Sequence, residues 1–426
     1  MTPRDRLASL EHFGIKLGLD TIGRLLAALG SPHRAWTPVH VAGTNGKGSV
    51  TAMVERALRA AGHRTGRYTS PHLHRLEERF AIDGAEVRPE ELDAVLADVF
   101  AVVDRLRADG AMAHWPTYFE ATTAAAFELF RRAGVGCAVI EVGLGGRFDA
   151  TNVLDPIATC ITTIAFDHER HLGRTLAAIA GEKAGIARPG VPMVAGRLPA
   201  DALAAVAARC ADVGAPLTLA HDGVALEIRM VEGRHVARFR TPRHAYPETM
   251  LALAGRHQVD NAVVALRLLE TCDEAGLAAG PEARVTGLAA AEWPARLEWV
   301  ATAGGRVLLD AAHNPAGAAA LAAYLADAGL GPLPVVLAIM ADKDVEGIVA
   351  AVAPGASRIV ASEVPSPRCL RAAELAARAR AVVPQLPVDA EPDPMAAVAR
   401  ALAEGGRAAV AGSIFLVGPL RARLQG

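Results

Sequence analysis

The chain has 426 residues, of which 52% are hydrophobic, 4% aromatic and 21% charged, and its formal net charge is −2. A single hydrophobic core usually stops growing at about 250–300 residues, so we expect two domains. The hydrophobic content excludes a disordered chain. The balance of 44 basic and 46 acidic residues leaves no global field for nucleic acid or an anionic membrane, so we expect neither as a partner.

The cysteines and the start of the chain indicate a reducing compartment. The five cysteines lie far apart, with no C-x-x-C pair, which argues against a disulfide framework and a structural zinc site. The first residues are charged and no apolar run follows them, so we expect no signal peptide. No window of about 18 apolar residues would span a membrane. We therefore expect a cytoplasmic protein, with a monomer as the default state.

In the first half of the chain, β-branched segments alternate with Ala- and Leu-rich segments, a pattern typical of parallel α/β units. The spacing predicts a strand over 39–41 that ends in a glycine-rich turn. It then predicts an amphipathic helix over 49–61, with Gly62 after its end. Further strands are predicted over 137–142, 159–165 and 191–195, and a hairpin over 224–230 and 235–240.

The same alternation restarts in the second half. Pro294 closes an alanine-rich helical region, which predicts a boundary there. Strands are predicted over 306–310, 335–340, 358–362 and 408–411, and helices over 316–328 and 371–382. We therefore predict an α/β fold with two domains. Residues 1–294 would form a mostly parallel sheet that contains a phosphate loop and has helices on both faces, and residues 295–426 a smaller Rossmann-like domain.

The phosphate loop is predicted over 43–49, where G-T-N-G-K-G-S separates the first strand from the first amphipathic helix. Glycines let successive N–H groups face an anion, and the helix N-terminus adds partial positive charge. Lys47 would reach the β- and γ-phosphate oxygens, and Ser49 would cap the helix or contact a metal. The spacing is tighter than in G-x-x-x-x-G-K-[ST], so this is a variant; the alternative is a glycine-rich turn with an exposed lysine. The predicted ATP-binding residues of this loop are Thr44, Asn45, Gly46, Lys47, Gly48 and Ser49.

Seven motifs occur in order along the chain, at 42–49, 68–73 (YTSPHL), 117–120 (TYFE), 141–152 (EVGLGGRFDATN), 167–168 (DH), 182–186 (EKAGI) and 310–315 (DAAHNP). The set resembles the folylpolyglutamate synthase/dihydrofolate synthase family, which is related to the Mur ligases of cell-wall synthesis. The resemblance runs from about residue 13 to residue 418. It implies an ATP- and magnesium-dependent amide ligase, with a Mur-type central domain that binds ATP and folate and a Mur-type C-terminal domain on the glutamate side.

The resemblance also implies two Mg²⁺ ions and a modified lysine. Ser70 and Glu141 would be ligands of one ion, and His168 would belong to the second. Lys183 is similar to the family's carbamylated lysine, in which CO₂ adds to a neutral amine and creates a carboxylate. The implied catalytic residues are Lys47, Lys183 and His168. Taken alone, Ser70 would be a turn residue and His168 an ordinary loop histidine.

The second domain is implied to complete the ATP site. Asn261 would contact the nucleotide, Arg296 a phosphate, and Asp310 a ribose hydroxyl. His313 and Ser413 would lie on the glutamate side. The family commonly has glycine where Ala295 and Ala311 stand, which puts the local backbone in question. The alternative for 310–315 is a strand followed by a helix cap.

The pterin end resembles the segments that receive dihydropteroate in bifunctional members. The implied folate-binding residues are Ile15, Lys16, Leu17, Thr117, Tyr118, Phe119, Glu120, Phe148, Asp149 and Ala150. Phe148 would stack near the pterin, and the alternative is that these aromatics are ordinary core residues.

The sequence therefore predicts a ligase that joins L-glutamate to dihydropteroate and to reduced folates through an acyl phosphate, with ATP as co-substrate. One alternative is a folylpolyglutamate synthase alone. Another is a Mur-type ligase for a nucleotide-linked cell-wall precursor. This alternative is disfavoured because the phosphate loop begins only about forty residues into the chain. A nucleotide-dependent switch is disfavoured, because no N-K-x-D motif appears.

Overall fold

The structure is a computed structural model and describes residues 1–14, 16 and 18–425. The α-helices are α1 (Pro3–Ser9), α2 (Asp20–Ala28), α3 (Lys47–Ala60), α4 (Pro89–Ala108), α5 (Tyr118–Arg132), α6 (Glu169–Leu172), α7 (Leu176–Lys183), α8 (Ala200–Val213), α9 (Arg256–Glu274), α10 (Pro281–Ala289), α11 (Pro315–Asp327), α12 (Val345–Val352), α13 (Ala372–Val382), α14 (Pro394–Leu402) and α15 (Ile414–Gln425). The strands are β1 (Thr37–Ala42), β2 (Thr65–Tyr68), β3 (Phe80–Ile82), β4 (Ala85–Glu86), β5 (Cys137–Glu141), β6 (Ala158–Ile161), β7 (Met193–Ala195), β8 (Leu217–Leu219), β9 (Ala225–Val231), β10 (Arg234–Arg240), β11 (Thr249–Met250), β12 (Glu298–Thr302), β13 (Gly305–Leu309), β14 (Leu333–Leu337), β15 (Ala356–Ala361), β16 (Val388–Ala390) and β17 (Arg407–Ala411).

The first large sheet has the order β4-β3-β2-β5-β1-β6-β7-β8. From β2 to β8 all neighbours are parallel, and β3 and β4 add an antiparallel edge. Side chains alternate between two cores, with Val139 of β5 packed among α3, α9 and α10, and Ile140 among α2, α4 and α5. The prediction of a mostly parallel sheet with helices on both faces is confirmed.

The carboxyl ends of three neighbouring strands meet at one edge of this sheet. Val41 of β1 pairs with Glu141 of β5, and Ala42 pairs with Ile161 of β6. The loops that follow β1, β5 and β6 therefore lie side by side, which is the place where open α/β sheets bind ligands.

A small antiparallel sheet, β11-β10-β9, follows the large one. The predicted hairpin is confirmed, and its turn has positive φ at Glu232 and Gly233 (50° and 77°). Within the described residues, no helix is long and apolar enough to cross a membrane.

The second large sheet has the order β12-β13-β17-β14-β15-β16 and is parallel except for β12. Helices cover both faces, with α11, α12 and α13 on one side and α14 and α15 on the other. The predicted smaller α/β domain is confirmed. We propose that the domain boundary falls between Pro294 and Ala295, since the strands before it belong to the first two sheets and those after it to the third.

The structure differs from the sequence predictions in several local details. The strand predicted over 159–165 is wrong beyond Ile161, because the hydroxyls of Thr162 and Thr163 bond to the carbonyl of Asn45 and draw the chain toward the loop after β1. Helix α3 begins at Lys47, so the prediction that Ser49 caps it is wrong. The strand predicted over 335–340 is wrong beyond Leu337, where β14 ends. The strands β2, β3, β4, β8, β11, β12 and β16 were not predicted, and each has at most five residues.

Candidate active site

A cleft of about 740 Å³ lies between the two domains, at the carboxyl edge of the first sheet. All of the site residues that the sequence analysis predicted line this cleft, as far as the structure describes them. The first domain contributes Lys16, Thr44, Asn45, Gly46, Lys47, Gly48, Ser49, Ser70, Thr117, Tyr118, Phe119, Glu120, Glu141, Phe148, Asp149, Ala150, His168, Lys183 and Asn261, and the second contributes Arg296, Asp310, His313 and Ser413. Ile15 and Leu17 lie outside the described residues.

The loop between β1 and α3 is held by its backbone. Thr44 N donates to the carbonyl of Thr163 (2.7 Å), and Asn45 N donates to the Thr163 hydroxyl (3.1 Å). Gly43 has φ 147°, and a Cβ built there would lie 1.9 Å from Thr162 Oγ1, so only glycine fits. The N-cap of α3 is Gly46, which has no side chain to satisfy the first N–H groups. These groups can therefore bind an anion.

Lys47 does not behave as an exposed surface lysine. Its side chain is 17% exposed, and Nζ lies 3.8 Å from Glu141 Oε1. Nζ also donates to the Thr44 carbonyl at 3.1 Å. The Lys47 ammonium group is thus held in the cleft, which is also lined by the loop between β1 and α3.

A chain of side-chain amides from α9 supports the loop. Asn261 Nδ2 donates to Gln258 Oε1 (2.9 Å), and Gln258 Nε2 donates to Ser49 Oγ (3.1 Å). A Cβ at Gly46 would lie 2.4 Å from Asn261 Oδ1. Since Ser49 accepts from Gln258, its own hydroxyl proton is free to point elsewhere.

Ser70 and Glu141 come together because β2 and β5 are adjacent parallel strands. Ser70 N donates to Glu141 Oε2 at 3.2 Å. Glu141 is buried, and burial raises its pKa, while the Lys47 ammonium opposes that shift. A hydroxyl and a carboxylate side by side are oxygen donors of the kind that Mg²⁺ prefers.

His168 and Lys183 line the same part of the cleft. Burial lowers the pKa of His168 to about 4, so its ring is neutral near pH 7 and able to bind a metal. Lys183, the last residue of α7, is 5% exposed, and its Nζ makes no hydrogen bond or ion pair with the described residues. Burial, together with the charge of Lys47, lowers the pKa of Lys183 to about 7. No cluster of three His, Cys, Asp or Glu side chains suited to a metal occurs in the part of the chain that the structure describes.

The linker into the second domain forms the opposite wall. Arg296 lines the cleft, where its Nη1 donates to the carbonyl of Ala295 (2.9 Å). Asp310 accepts from the N–H groups of Leu297 and Ala312 (2.9 Å each), so it holds the linker and keeps one remaining lone pair on each oxygen. Ala295 has φ 56°, which explains why glycine suits this position.

Asp167 of the first domain is held by the second domain. Lys343 Nζ lies 2.5 Å from Oδ1, His313 Nε2 3.4 Å from Oδ2, and Asn314 Nδ2 3.3 Å from Oδ2. Burial alone would raise the pKa of Asp167, but the His313 hydrogen bond and the charges around it outweigh burial and hold that pKa far below its usual range. Ser413 is buried close by in the fold, where its hydroxyl accepts from Phe415 N.

The far end of the cleft is aromatic. Phe119 stacks on Tyr68 with ring centroids 6.0 Å apart, and it lies against Gly143, where a Cβ would be 2.4 Å from the ring. Arg79 lies over the ring of Tyr118 at 5.3 Å. Phe148 is 43% exposed, so the alternative of an ordinary core aromatic is wrong for this residue.

Two buried carboxylates accompany these rings. Glu120 accepts from Thr117 N (2.7 Å) in a capping box at the start of α5. Asp149 accepts from Leu144 N (2.8 Å) and from Thr151 N (3.0 Å). Burial raises the pKa of both carboxyl groups, and these hydrogen bonds oppose it.

Sequence reasoning missed Arg79, Gln258 and Lys343, which all line the cleft. One signal could have found Lys343. The chain has only four lysines among its 44 basic residues, at 16, 47, 183 and 343, and all four line this cleft. Arginine is used everywhere else, so each lysine marks a position where a compact ammonium group is preferred.

The chain is similar in sequence and in structure to known proteins of one family. Residues 295–417 match the family model of the Mur ligase glutamate ligase domain. The chain is similar to the dihydrofolate synthase/folylpolyglutamate synthase of Mycobacterium tuberculosis, with 39% identity over 373 residues that cover 84% of this chain and 76% of the relative. It is also similar to the Escherichia coli protein with the same description, with 34% identity over 350 residues, 81% of this chain and 77% of the relative. The structure of Mycobacterium tuberculosis folylpolyglutamate synthase complexed with ADP superposes with a TM-score of 0.91 and 34% identity, covering 100% of this chain and 99% of that one.

Proposed function

The chain belongs to the dihydrofolate synthase/folylpolyglutamate synthase family, and we propose that it uses ATP to join L-glutamate to dihydropteroate and to reduced folates. The observation that carries the proposal is one cleft that is lined both by the glycine-rich loop with Lys47 and by the aromatic residues Tyr118, Phe119 and Phe148. Such a cleft can hold a nucleoside triphosphate and a flat heterocycle with their reactive groups facing each other. In this assignment the enzyme has dihydrofolate synthase and folylpolyglutamate synthase activities.

The first step activates the substrate carboxylate. A carboxylate oxygen attacks the γ-phosphorus of ATP, the bond from that phosphorus to the β-bridging oxygen breaks, and ADP leaves an acyl phosphate behind. The protein contributes position and charge. Lys47 and the N–H groups at the start of α3 face the phosphates from one side, and Arg296 faces them from the other. Asn261 and Asp310 are proposed to contact the nucleotide.

The second step forms the amide. The amine of L-glutamate attacks the acyl carbon, a tetrahedral intermediate forms, and phosphate leaves with one oxygen of the original carboxylate. We assign the glutamate side to His313 and Ser413, which lie in the second domain. The cleft holds both reactants together, which replaces a costly encounter in water with a positioned one.

The site also fits Mg²⁺. Ser70 and Glu141 would hold one ion, and His168 the second. Bound Mg²⁺ would neutralise phosphate charge. The hydrogen bond from Ser70 N orients the Glu141 carboxylate without any ion.

Lys183 fits carbamylation. It is a buried amine without a hydrogen-bond partner among the described residues, and burial lowers its pKa to about 7, which makes the neutral amine accessible near neutral pH. CO₂ adds only to the neutral form, and the carbamate would supply the oxygen ligand that the second ion lacks. An unmodified Lys183 would be a buried amine without a hydrogen-bond partner among the described residues.

The alternative of a Mur-type ligase for a cell-wall precursor is not favoured, because the similarities over most of the chain are to proteins described as folate enzymes. We propose that the enzyme acts in the cytoplasm as a monomer. Support for the monomer is that one chain supplies every wall of the cleft. Light scattering on the purified protein would test it, and a stable dimer would contradict it.

The function is tested by ADP release from ATP with L-glutamate and either dihydropteroate or tetrahydrofolate. Both substrates should support turnover, and Lys47→Ala should reduce it by more than about 100-fold with folding intact. Arg56→Ala, on the same helix but outside the cleft, is the matched control and should keep wild-type turnover. The proposal would be contradicted if neither substrate supported ADP release but a nucleotide-linked cell-wall precursor did.

A further inference from the structure

A buried histidine that the mechanism above does not use lies beneath the pterin end. His40 is in the middle of β1, where it pairs with Ile140 of β5 and Thr159 of β6, and its side chain is fully buried. Its Nε2 lies 2.8 Å from Thr151 Oγ1. The same hydroxyl lies 2.5 Å from Asp149 Oδ1. A continuous hydrogen-bonded chain therefore runs from the central strand to a carboxylate that lines the cleft.

The number of protons restricts how this chain can be arranged. The Thr151 hydroxyl has one proton, so it can donate to Asp149 or to His40, but not to both. If it donates to Asp149, then His40 must donate from Nε2–H. If it donates to His40, then Nε2 is bare, His40 carries its proton on Nδ1, and Asp149 must itself be protonated to bond with Thr151.

The environment of Nδ1 decides between the two arrangements. Nδ1 of His40 is buried and has no hydrogen-bond partner among the described residues. A buried N–H without an acceptor is rarer in proteins than an unfilled acceptor, so the bare Nδ1 is favoured. The proton then sits on Nε2, and the Thr151 hydroxyl points at Asp149. Burial lowers the pKa of His40 to about 3, so the ring does not take up a second proton.

The consequence falls on Asp149. Its Oδ1 receives the hydroxyl and the N–H of Thr151, and its Oδ2 receives Leu144 N. Burial raises the pKa of Asp149, and these three donors oppose that rise, favour the ionised carboxylate and fix its direction. A pterin ring presents an amino group and a ring N–H along one edge, which need an acceptor of this kind.

We propose that His40 is a positioning residue that acts through Thr151 to keep Asp149 a fixed hydrogen-bond acceptor for the N–H edge of the pterin. This inference rests on the proposed function, because it assigns the aromatic end of the cleft to a pterin. His40 does not contact the substrate itself. Its effect is on recognition of the heterocycle and not on ATP.

The test uses matched pairs of variants in the full-length protein. Thr151→Val keeps the shape and removes the hydroxyl, whereas Thr151→Ser keeps the hydroxyl; His40→Leu removes the donor, whereas His40→Gln keeps an amide donor. We expect Thr151→Val and His40→Leu to raise the KM for dihydropteroate by about 10-fold or more, with the KM for ATP within about twofold of wild type. Thr151→Ser and His40→Gln should keep the KM for dihydropteroate close to that of wild type. Equal effects of Thr151→Val and Thr151→Ser, or a parallel rise in the KM for ATP, would overturn the assignment.

A second measurement needs no variant. In wild-type protein with ¹⁵N-labelled histidine, NMR should show the proton of His40 on Nε2, and a proton on Nδ1 would overturn the assignment. This readout requires no turnover. A wild-type protein with the Nε2–H form but no activity toward dihydropteroate would contradict the proposed function and the pterin assignment, while the hydrogen-bonded chain itself would stand.

Discussion

Asn45 of the phosphate loop and Asn314 of the second domain exchange two amide hydrogen bonds, with Nδ2–Oδ1 distances of 3.2 and 3.0 Å. Asn314 also accepts from Gly317 N at the start of α11 and donates to Asp167. The Asn314 side chain therefore connects the loop that we propose to face ATP, the start of α11 in the second domain, and Asp167 of the first domain. Closure of the domains and assembly of the phosphate site are the same event in this arrangement.

This pair predicts coupling between the two domains in catalysis. Asn45→Ala and Asn314→Ala should each lower kcat/KM for ATP by about 5- to 10-fold, because each removes both hydrogen bonds. The double variant should be little worse than the worse single variant. Asn314→Ser, which keeps a cap for α11 but cannot reach Asn45, separates capping from coupling. Effects that multiply in the double variant would show that the two residues act independently.

A second contact between the domains has no room for an added methyl group. A Cβ at Gly418 of α15 would lie 1.9 Å from the carbonyl oxygen of Leu73, in the loop that follows Ser70. Because a backbone atom cannot move aside as a side chain can, Gly418→Ala should push α15 away from that loop and reduce ADP release by at least about 10-fold. Gly23→Ala, at a helical glycine of α2 with open space around it, is the control and should leave activity unchanged. Wild-type activity of Gly418→Ala would contradict the close approach of the domains.

The proposed pterin end of the cleft depends on another glycine. A Cβ at Gly143 would lie 2.4 Å from the ring of Phe119, so Gly143→Ala should displace that ring. We expect a higher KM for dihydropteroate and little change in the nucleotide affinity, measured by titration with ADP. Equal losses of both affinities would indicate a general distortion of the loop after β5.

Carbamylation of Lys183 predicts a dependence on bicarbonate and pH. The pKa of about 7 means that the neutral amine increases as pH rises through 7, and only this form adds CO₂. Enzyme stripped of CO₂ should be less active, and bicarbonate should restore it faster at pH 8 than at pH 6. Mass spectrometry under native conditions should find the added CO₂ on wild type and not on Lys183→Met. Full activity without CO₂ would contradict the modification.

The sequence predicted the elements whose signals are local. The strand, glycine loop and helix around Lys47 follow one another within a short segment, and the structure places them as expected apart from the start of α3. The motif that contains Glu141 and Asp149 is also local: Glu141 ends β5, and Asp149 lies in the loop that follows.

Contacts between distant segments could not be predicted in the same way. Lys343 and Asp167 are 176 positions apart, and no local pattern distinguishes this lysine from a surface lysine. Arg79 ends a short charged segment (residues 76–79) directly before β3, and its neighbours in the sequence give no sign of burial, yet it is buried against Tyr118. The scarcity of lysine was the usable signal, because it depends on the composition of the whole chain and not on local periodicity.

The acyl phosphate is tested most directly by following oxygen. Dihydropteroate labelled with ¹⁸O in its carboxylate is incubated with the enzyme, ATP and L-glutamate, and the released inorganic phosphate is analysed by mass spectrometry. Attack of the carboxylate on the γ-phosphate predicts one ¹⁸O atom in each phosphate. Unlabelled phosphate, with amide formed at the normal rate, would contradict the mechanism.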